Sequence, residues 1–275
     1  MTDPTARFRA LVNGPEDALP LDEAALLLAA HASPGLDVAT QLRRLDDLAA
    51  QCPEPTLGAL CGLLFEEMGF AGASDDYSDP RNSFLDQVLD RRTGIPISLS
   101  VVMLEVGRRV GVPLEGVGMP GHFLVRHTAA PRVLIDPFNG GRHLEATQCA
   151  DLVASIFGPG APFPASVLAP SGPRTILAHM LANLKNSYFE RRDGDSLIWV
   201  SRLRTAIPGV SPRELADLAK VLVELGRFGE AADALEGLAG PVGQPAGPVG
   251  QSAVPDDEAQ ARFRVQAIGL RARLN

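Results

Sequence analysis

The chain has 275 residues, 45% of them hydrophobic, enough to bury at least one good core in one or two domains. A formal net charge of -8 and a pI near 5.2 leave no broad basic field of the kind nucleic-acid binding uses, so no nucleic-acid partner is expected. The cysteines Cys52, Cys61 and Cys149 form an odd set without CxxC or Cys/His ligand spacing, which argues against a disulfide framework and a metal centre and for a reducing cytoplasm.

The N-terminal stretch MTDPTARFRALVNGPEDALP has no apolar signal core. Apolar runs such as Ala24–Ala30 and Val117–Met119 are too short to cross a bilayer, so no membrane association is expected. LDEAALLLAAHA reads as a helix stopped by Ser33-Pro34-Gly35. Asp37 then caps a second helix, DVATQLRRLDDLAAQ, with Val38, Leu42, Leu45 and Leu48 at helical spacing. TLGALCGLLFEEMGF supplies a third, and Cys61 on its apolar face reads as a small hydrophobe.

The loop AGASDDYSDPRNSF leads into FLDQVLDRRTGIP. Asn82 and Ser83 suit the caps of a helix beginning near Phe84; Asn82 also has the side-chain amide that can polarise a developing oxyanion. After the break at Gly94-Ile95-Pro96, ISLSVVMLEVGRRVG reads as a buried helix ending at Gly111-Val112-Pro113. Ser98 lies in its first turn, where free backbone N–H groups and the helix dipole favour a nucleophile. A serine there needs a neighbouring base, and the alternative is that Ser98 and Ser100 cap and pack the helix.

Strand patterns follow in LEGVGMPGHFLVRH and VLIDPFNGG, joined by the turn-prone TAAPR. His122 starts one strand after Pro120-Gly121, and Asp136 ends the next before a proline. In an antiparallel pair the carboxylate can orient the imidazole, the arrangement of a catalytic base. His127 and His143 have no comparable partner and read as surface residues.

The segments NSFLDQVLDRRTGIPISLSVVMLEVGRRVGV, GVGMPGHFLVRH and LIDPFNGGRHL resemble the SirB-type transglutaminase-like proteins, as does the upstream LDEAALLLAAHASPGLDVATQLRRLDDLA. The resemblance spans most of residues 20 to 240. It implies an α+β, papain/transglutaminase-like core with N-terminal helices over residues 1–170, in which Cys, His and Asp form a triad. The His is His122 and the Asp is Asp136; the cysteine position falls at Ser98, with Pro96 and Ser100 as alternatives. No cysteine lies between Cys61 and Cys149, so the thiol mechanism has no nucleophile here.

From Ser171 the chain reads as helical again. RTILAHMLANLKNSYFERRDGDSLIWVSRLRTAIPGV and SPRELADLAKVLVELGRFGEAADALEGLAG are two helix–turn–helix units similar to tetratricopeptide repeats, giving an all-α region over 171–275. This region is expected to pack on the core domain, with Leu197, Ile198 and Trp199 supplying the contact. GPVGQPAGPVGQSAVPDD repeats GPVGQ and reads as a flexible insert over 240–257, before an amphipathic last helix, EAQARFRVQAIGLRARL.

Two functions are compatible with this reading. The first is a binding or scaffold protein with a degenerate, cysteine-less triad site and a protein or peptide partner. The second is a serine-dependent acyl-transfer enzyme acting on amides or esters through Ser98, His122 and Asp136, with Asn82 near the oxyanion. Neither requires a cofactor.

Overall fold

The computed structural model of the chain describes residues 3–211, 213–239 and 257–274. It divides into two compact units, Met1–Met180 and Leu181–Asn275. The insert expected over 240–257 lies outside the described residues except for its last position.

In the first unit, α1 (Pro4–Val12) starts at Asp3, whose carboxylate accepts from the amides of Thr5 and Ala6. The Ala/Leu-rich α2 (Leu21–Ala32) is buried along most of its length. Asp37 caps α3 (Val38–Ala49), and Thr56 caps α4 (Leu57–Cys61), which widens into a π-helical turn over Gly62–Glu67. The short β1 (Ala71–Gly72) pairs in parallel with β2 (Thr93–Gly94), on either side of α5 (Leu85–Arg91). Asn82 and Ser83 do not cap α5. Asn82 belongs to a 3₁₀ turn over Pro80–Asn82, and the N-cap of α5 is Phe84, whose side chain makes no capping hydrogen bond.

The helix expected around the serines is α6 (Pro96–Val110), opened by proline and closed by Gly111 at φ 91°. Val101, Val102, Met103 and Val106 are at most 1% exposed, and burying each such side chain is worth about 1.5–3 kcal/mol. An antiparallel meander follows: β3 (Leu114–Met119), β4 (His122–His127), β5 (Leu134–Asp136) and β6 (Arg142–Leu144). Ser100 of α6 meets the carbonyl oxygen of Phe123 at 3.5 Å, and a Cβ on Gly107 would sit 2.6 Å from Leu114, the partner of His127. α6 therefore runs alongside β4 in the same direction, with its N-terminus level with the start of the strand.

A further helix, α7 (Ala146–Phe157), packs Cys149 and Val153 on Val117, Met119, Leu124, Leu134 and Leu144. Side chains alternate along a strand, so His122 shares the face of Leu124, and Asp136 shares that of Leu134. Both point to the side of the sheet that α7 covers.

The division between units falls within α8 (Pro173–Glu190). The second unit is all-α, with α9 (Gly194–Ala206), α10 (Arg213–Glu224), α11 (Phe228–Ala239) and α12 (Asp257–Arg271). Its core joins Ile198, Leu218, Leu222, Ala231, Leu235 and Ala267. Leu197 is buried too, and Trp199 lies edge-on to Tyr188 at 5.9 Å.

Candidate functional site

His122 is placed by the turn before it. Gly121, at φ 70°, takes the left-handed conformation that joins β3 to β4 through Pro120-Gly121, with Met119 opposite His122. Asp136 is placed by the turn after it. The 3₁₀ turn Pro137–Asn139 is capped by Asp136, and Gly140 and Gly141 at φ 69° and 75° let the chain reverse immediately. Asn139 is thereby brought back onto the carboxylate.

The carboxylate of Asp136 is 0% exposed and has three donors. His122 Nε2 lies 2.8 Å from Oδ1, Asn139 Nδ2 lies 2.7 Å from Oδ2, and the Asn139 amide lies 3.3 Å from Oδ1. Burial pushes its pKa up, but the hydrogen bond and charge of His122, then the Asn139 bonds, outweigh it and hold the group below the usual carboxylate range. An ionised carboxylate only accepts, so Nε2 carries the proton and Nδ1 is the nitrogen left for other work.

Phe138 completes this corner. Its ring stands edge-on to His122 at 6.0 Å and to Tyr77 at 6.1 Å. It fits because residue 72 is glycine: a Cβ there would come within 2.6 Å of the Phe138 ring and carbonyl.

Ser98 and Asn82 form a separate pair. The Ser98 hydroxyl donates to the Asn82 carbonyl at 2.6 Å, lies 3.1 Å from the Ile95 carbonyl, and accepts from the Ile95 amide at 3.0 Å. Ser98 is 0% exposed, and it enters this slot because residue 94 has no side chain: a Cβ on Gly94 would lie 2.6 Å from its Oγ. The Asn82 amide is also occupied, with Nδ2 donating to the Asp76 carbonyl at 2.7 Å and Oδ1 accepting from Arg91 at 3.0 Å. No hydrogen bond links Ser98 or Asn82 to His122 or Asp136 among the described residues. Ser100 donates to the Pro96 carbonyl at 2.8 Å.

Neither Cys61 nor Cys149 is prepared as a thiolate. Burial, then Glu66, pushes the Cys61 thiol up to about 11. Burial, then the charge of Asp136, raises Cys149, which is 0% exposed. Cys52 donates to the Glu54 carbonyl. Among the described residues no group of three or more His, Cys, Asp or Glu side chains could hold a metal ion, and no helix is long and apolar enough to cross a membrane.

Sequence reasoning did not single out Asn139, Phe138 or Tyr77. A signal for Asn139 was present in Asp-Pro-x-Asn-Gly-Gly, where a capping aspartate and two glycines predict a tight return. Phe138 and Tyr77 lie 61 positions apart, and nothing local marks their meeting.

A family model described as the transglutaminase-like superfamily matches residues 36–182. A UPF0162 protein of Xylella fastidiosa (strain 9a5c) is 36% identical over 233 residues, covering 80% of this chain and 83% of its own. A UPF0162 protein of Pseudomonas aeruginosa is 37% identical over 175 residues, covering 60% and 63%. F-box only protein 21 of Mus musculus is 37% identical over 116 residues, which is 37% of this chain and 18% of that protein. No solved structure matches the chain.

Proposed function

The chain belongs to the transglutaminase-like superfamily, and from that premise we propose that it is a binding protein with a degenerate triad site. The observation that carries this reading is the Ser98 hydroxyl, which is fully buried and bonded to Asn82 and Ile95 instead of a base. Acyl transfer needs a nucleophile within hydrogen-bond reach of the base that activates it. In this reading Ser98 stands where the family has its cysteine. Its hydroxyl is committed to backbone groups, so the His122–Asp136 pair holds the corner of the sheet together.

Binding is supported by what surrounds the pair. Among the described residues of the first unit the exposed large hydrophobic side chains are Tyr77, Ile156 and Phe157, at 46%, 46% and 59%. Tyr77 touches Phe138, which touches His122, while a Cβ on Gly121 would lie 3.2 Å from both Ile156 and Phe157. An apolar surface of this kind is used for docking, here of an apolar segment of a protein or peptide. The occurrence of a similar segment within an F-box protein is in keeping with a module that serves a larger assembly. On the same reading the protein is of the SirB type and cytoplasmic, and its α8/α9 and α10/α11 pairs are tetratricopeptide-like units offering a second surface.

The test is labelling of the purified protein with a serine-reactive fluorophosphonate probe, followed by intact mass. Wild type is expected to remain unlabelled. Labelling that both Ser98→Ala and His122→Ala abolish would overturn the reading and establish a serine acyl-transfer enzyme.

A further inference from the structure

We propose that the first unit carries a second site, a cavity beside the C-terminal half of α6, that binds a small amphiphilic amine. The cavity measures about 720 Å³ and is bounded by the chain entering α2, by α6, by the turn from Gly111 into β3, and by the start of α8. That volume lies within the range of small-molecule sites, roughly 300–1,000 Å³. Leu19, Leu21, Leu104, Val112, Leu114 and Ile176 make most of its wall apolar.

Glu105 sits in this wall and is 4% exposed. Its Oε2 accepts from Arg108 at 2.9 Å and from Arg109 at 3.1 Å. Its Oε1 takes no hydrogen bond among the described residues, although it is not one of the fully enclosed orphan atoms. A carboxylate oxygen that the protein leaves unbonded in a largely apolar wall can take a donor from a ligand.

The surrounding charges decide what kind of donor. Arg108 and Arg109 are shared between Glu105 and the buried Asp22, and Arg109 also holds Asp46. Glu115 in the wall is matched by Arg126, and Glu16 beyond it pairs with Arg174. Asp17 in the wall adds a further negative charge. In the wall itself Asp17, Glu105 and Glu115 stand against Arg108 alone, and every arginine named here already has an acidic partner. An anionic ligand would meet repulsion; an ammonium group can donate a charge-assisted hydrogen bond to Oε1 while its hydrocarbon body covers the leucines.

Isothermal titration of the full chain at neutral pH with n-octylamine, octanoate and octanol as probes tests the assignment. The amine is expected to bind saturably at a single site, with octanoate and octanol each about tenfold weaker or undetectable, the equivalent of one charge-assisted hydrogen bond. Glu105→Gln is expected to weaken amine binding by about tenfold. Because that change also removes charge from the Arg108–Arg109 network, Ala18→Trp serves as a second variant: it fills the mouth from an exposed wall position and is expected to abolish binding. Absence of amine binding, equal binding of octanoate or octanol, or undiminished binding to Ala18→Trp would each overturn the proposal. None of these outcomes depends on the state of the His122 corner.

Discussion

The hydroxyl of Ser98 donates to the backbone carbonyl of Asn82 at 2.6 Å, and both residues are 0% exposed. The bond ties the first turn of α6 to the turn before α5, using the side chain that a serine mechanism would require. A hydroxyl so committed is a structural fastener, and its worth can be measured.

Removing the fastener costs stability. Ser98→Ala leaves the buried Ile95 amide with only its long 3.3 Å contact to the Asn82 carbonyl. The expected loss is about 1–3 kcal/mol by urea denaturation. Gly94→Ala costs a similar amount, about 1–3 kcal/mol, because its Cβ would meet Ser98 Oγ at 2.6 Å and Leu99 and Val88 at 3.2 Å. The double variant should lose clearly less than the sum, since Ser98→Ala deletes the atom that Gly94→Ala strikes; strict additivity would mean that the two sites do not share the slot.

The second prediction concerns acid. Asp136 has a folded-state pKa below the ordinary 3.8, so the folded chain holds on to fewer protons than the unfolded chain as that value is approached. Its contribution is fully present well above 3.8 and is lost as pH falls through the lower, folded value. Asp136→Asn should therefore cost more stability at about pH 7 than at about pH 3, by chemical denaturation at each pH. An equal loss at both would show that the carboxylate gains nothing from His122 and Asn139.

A third expectation lies in the N-terminal helices. His31 Nδ1 lies 2.8 Å from the Leu27 carbonyl and Nε2 lies 3.0 Å from the Thr5 hydroxyl, and burial lowers its pKa below 6.5 against the opposing pull of the Leu27 bond and Asp3. The folded state thus disfavours the protonated ring. The stability contributed by neutral His31 is complete above 6.5 and is lost as pH falls through the lowered value. Wild type should lose stability between about pH 7 and about pH 5, and His31→Gln should flatten that slope. An unchanged slope would remove His31 as its source.

Local patterns carried most of the architecture. Pro-Gly after LDEAALLLAAHA, the Asp37 cap, Pro96 and Gly111 around α6, and the alternation in HFLVRH each act within a few residues, so their outcomes could be read directly. Helix α7 was not anticipated, although Glu145 and Gln148 bracket its first turn; Gln148 accepts from the Glu145 amide at 2.9 Å. The cap of α5 was misread because Asn82, a good capping residue, is held instead by Asp76 and Arg91.

By itself the sequence determined most of the longer helices, the strands that carry His122 and Asp136, the absence of any cysteine between Cys61 and Cys149, and the candidacy of His122 and Asp136. Only the tertiary structure decided which side chains meet. Strand register joins His122 to Asp136 across 14 positions and the Gly140-Gly141 reversal adds Asn139, while the space left by Gly94 draws Ser98 toward Asn82. A hydroxyl's partner is set by the few ångströms around it, and those are supplied by residues far away in the chain.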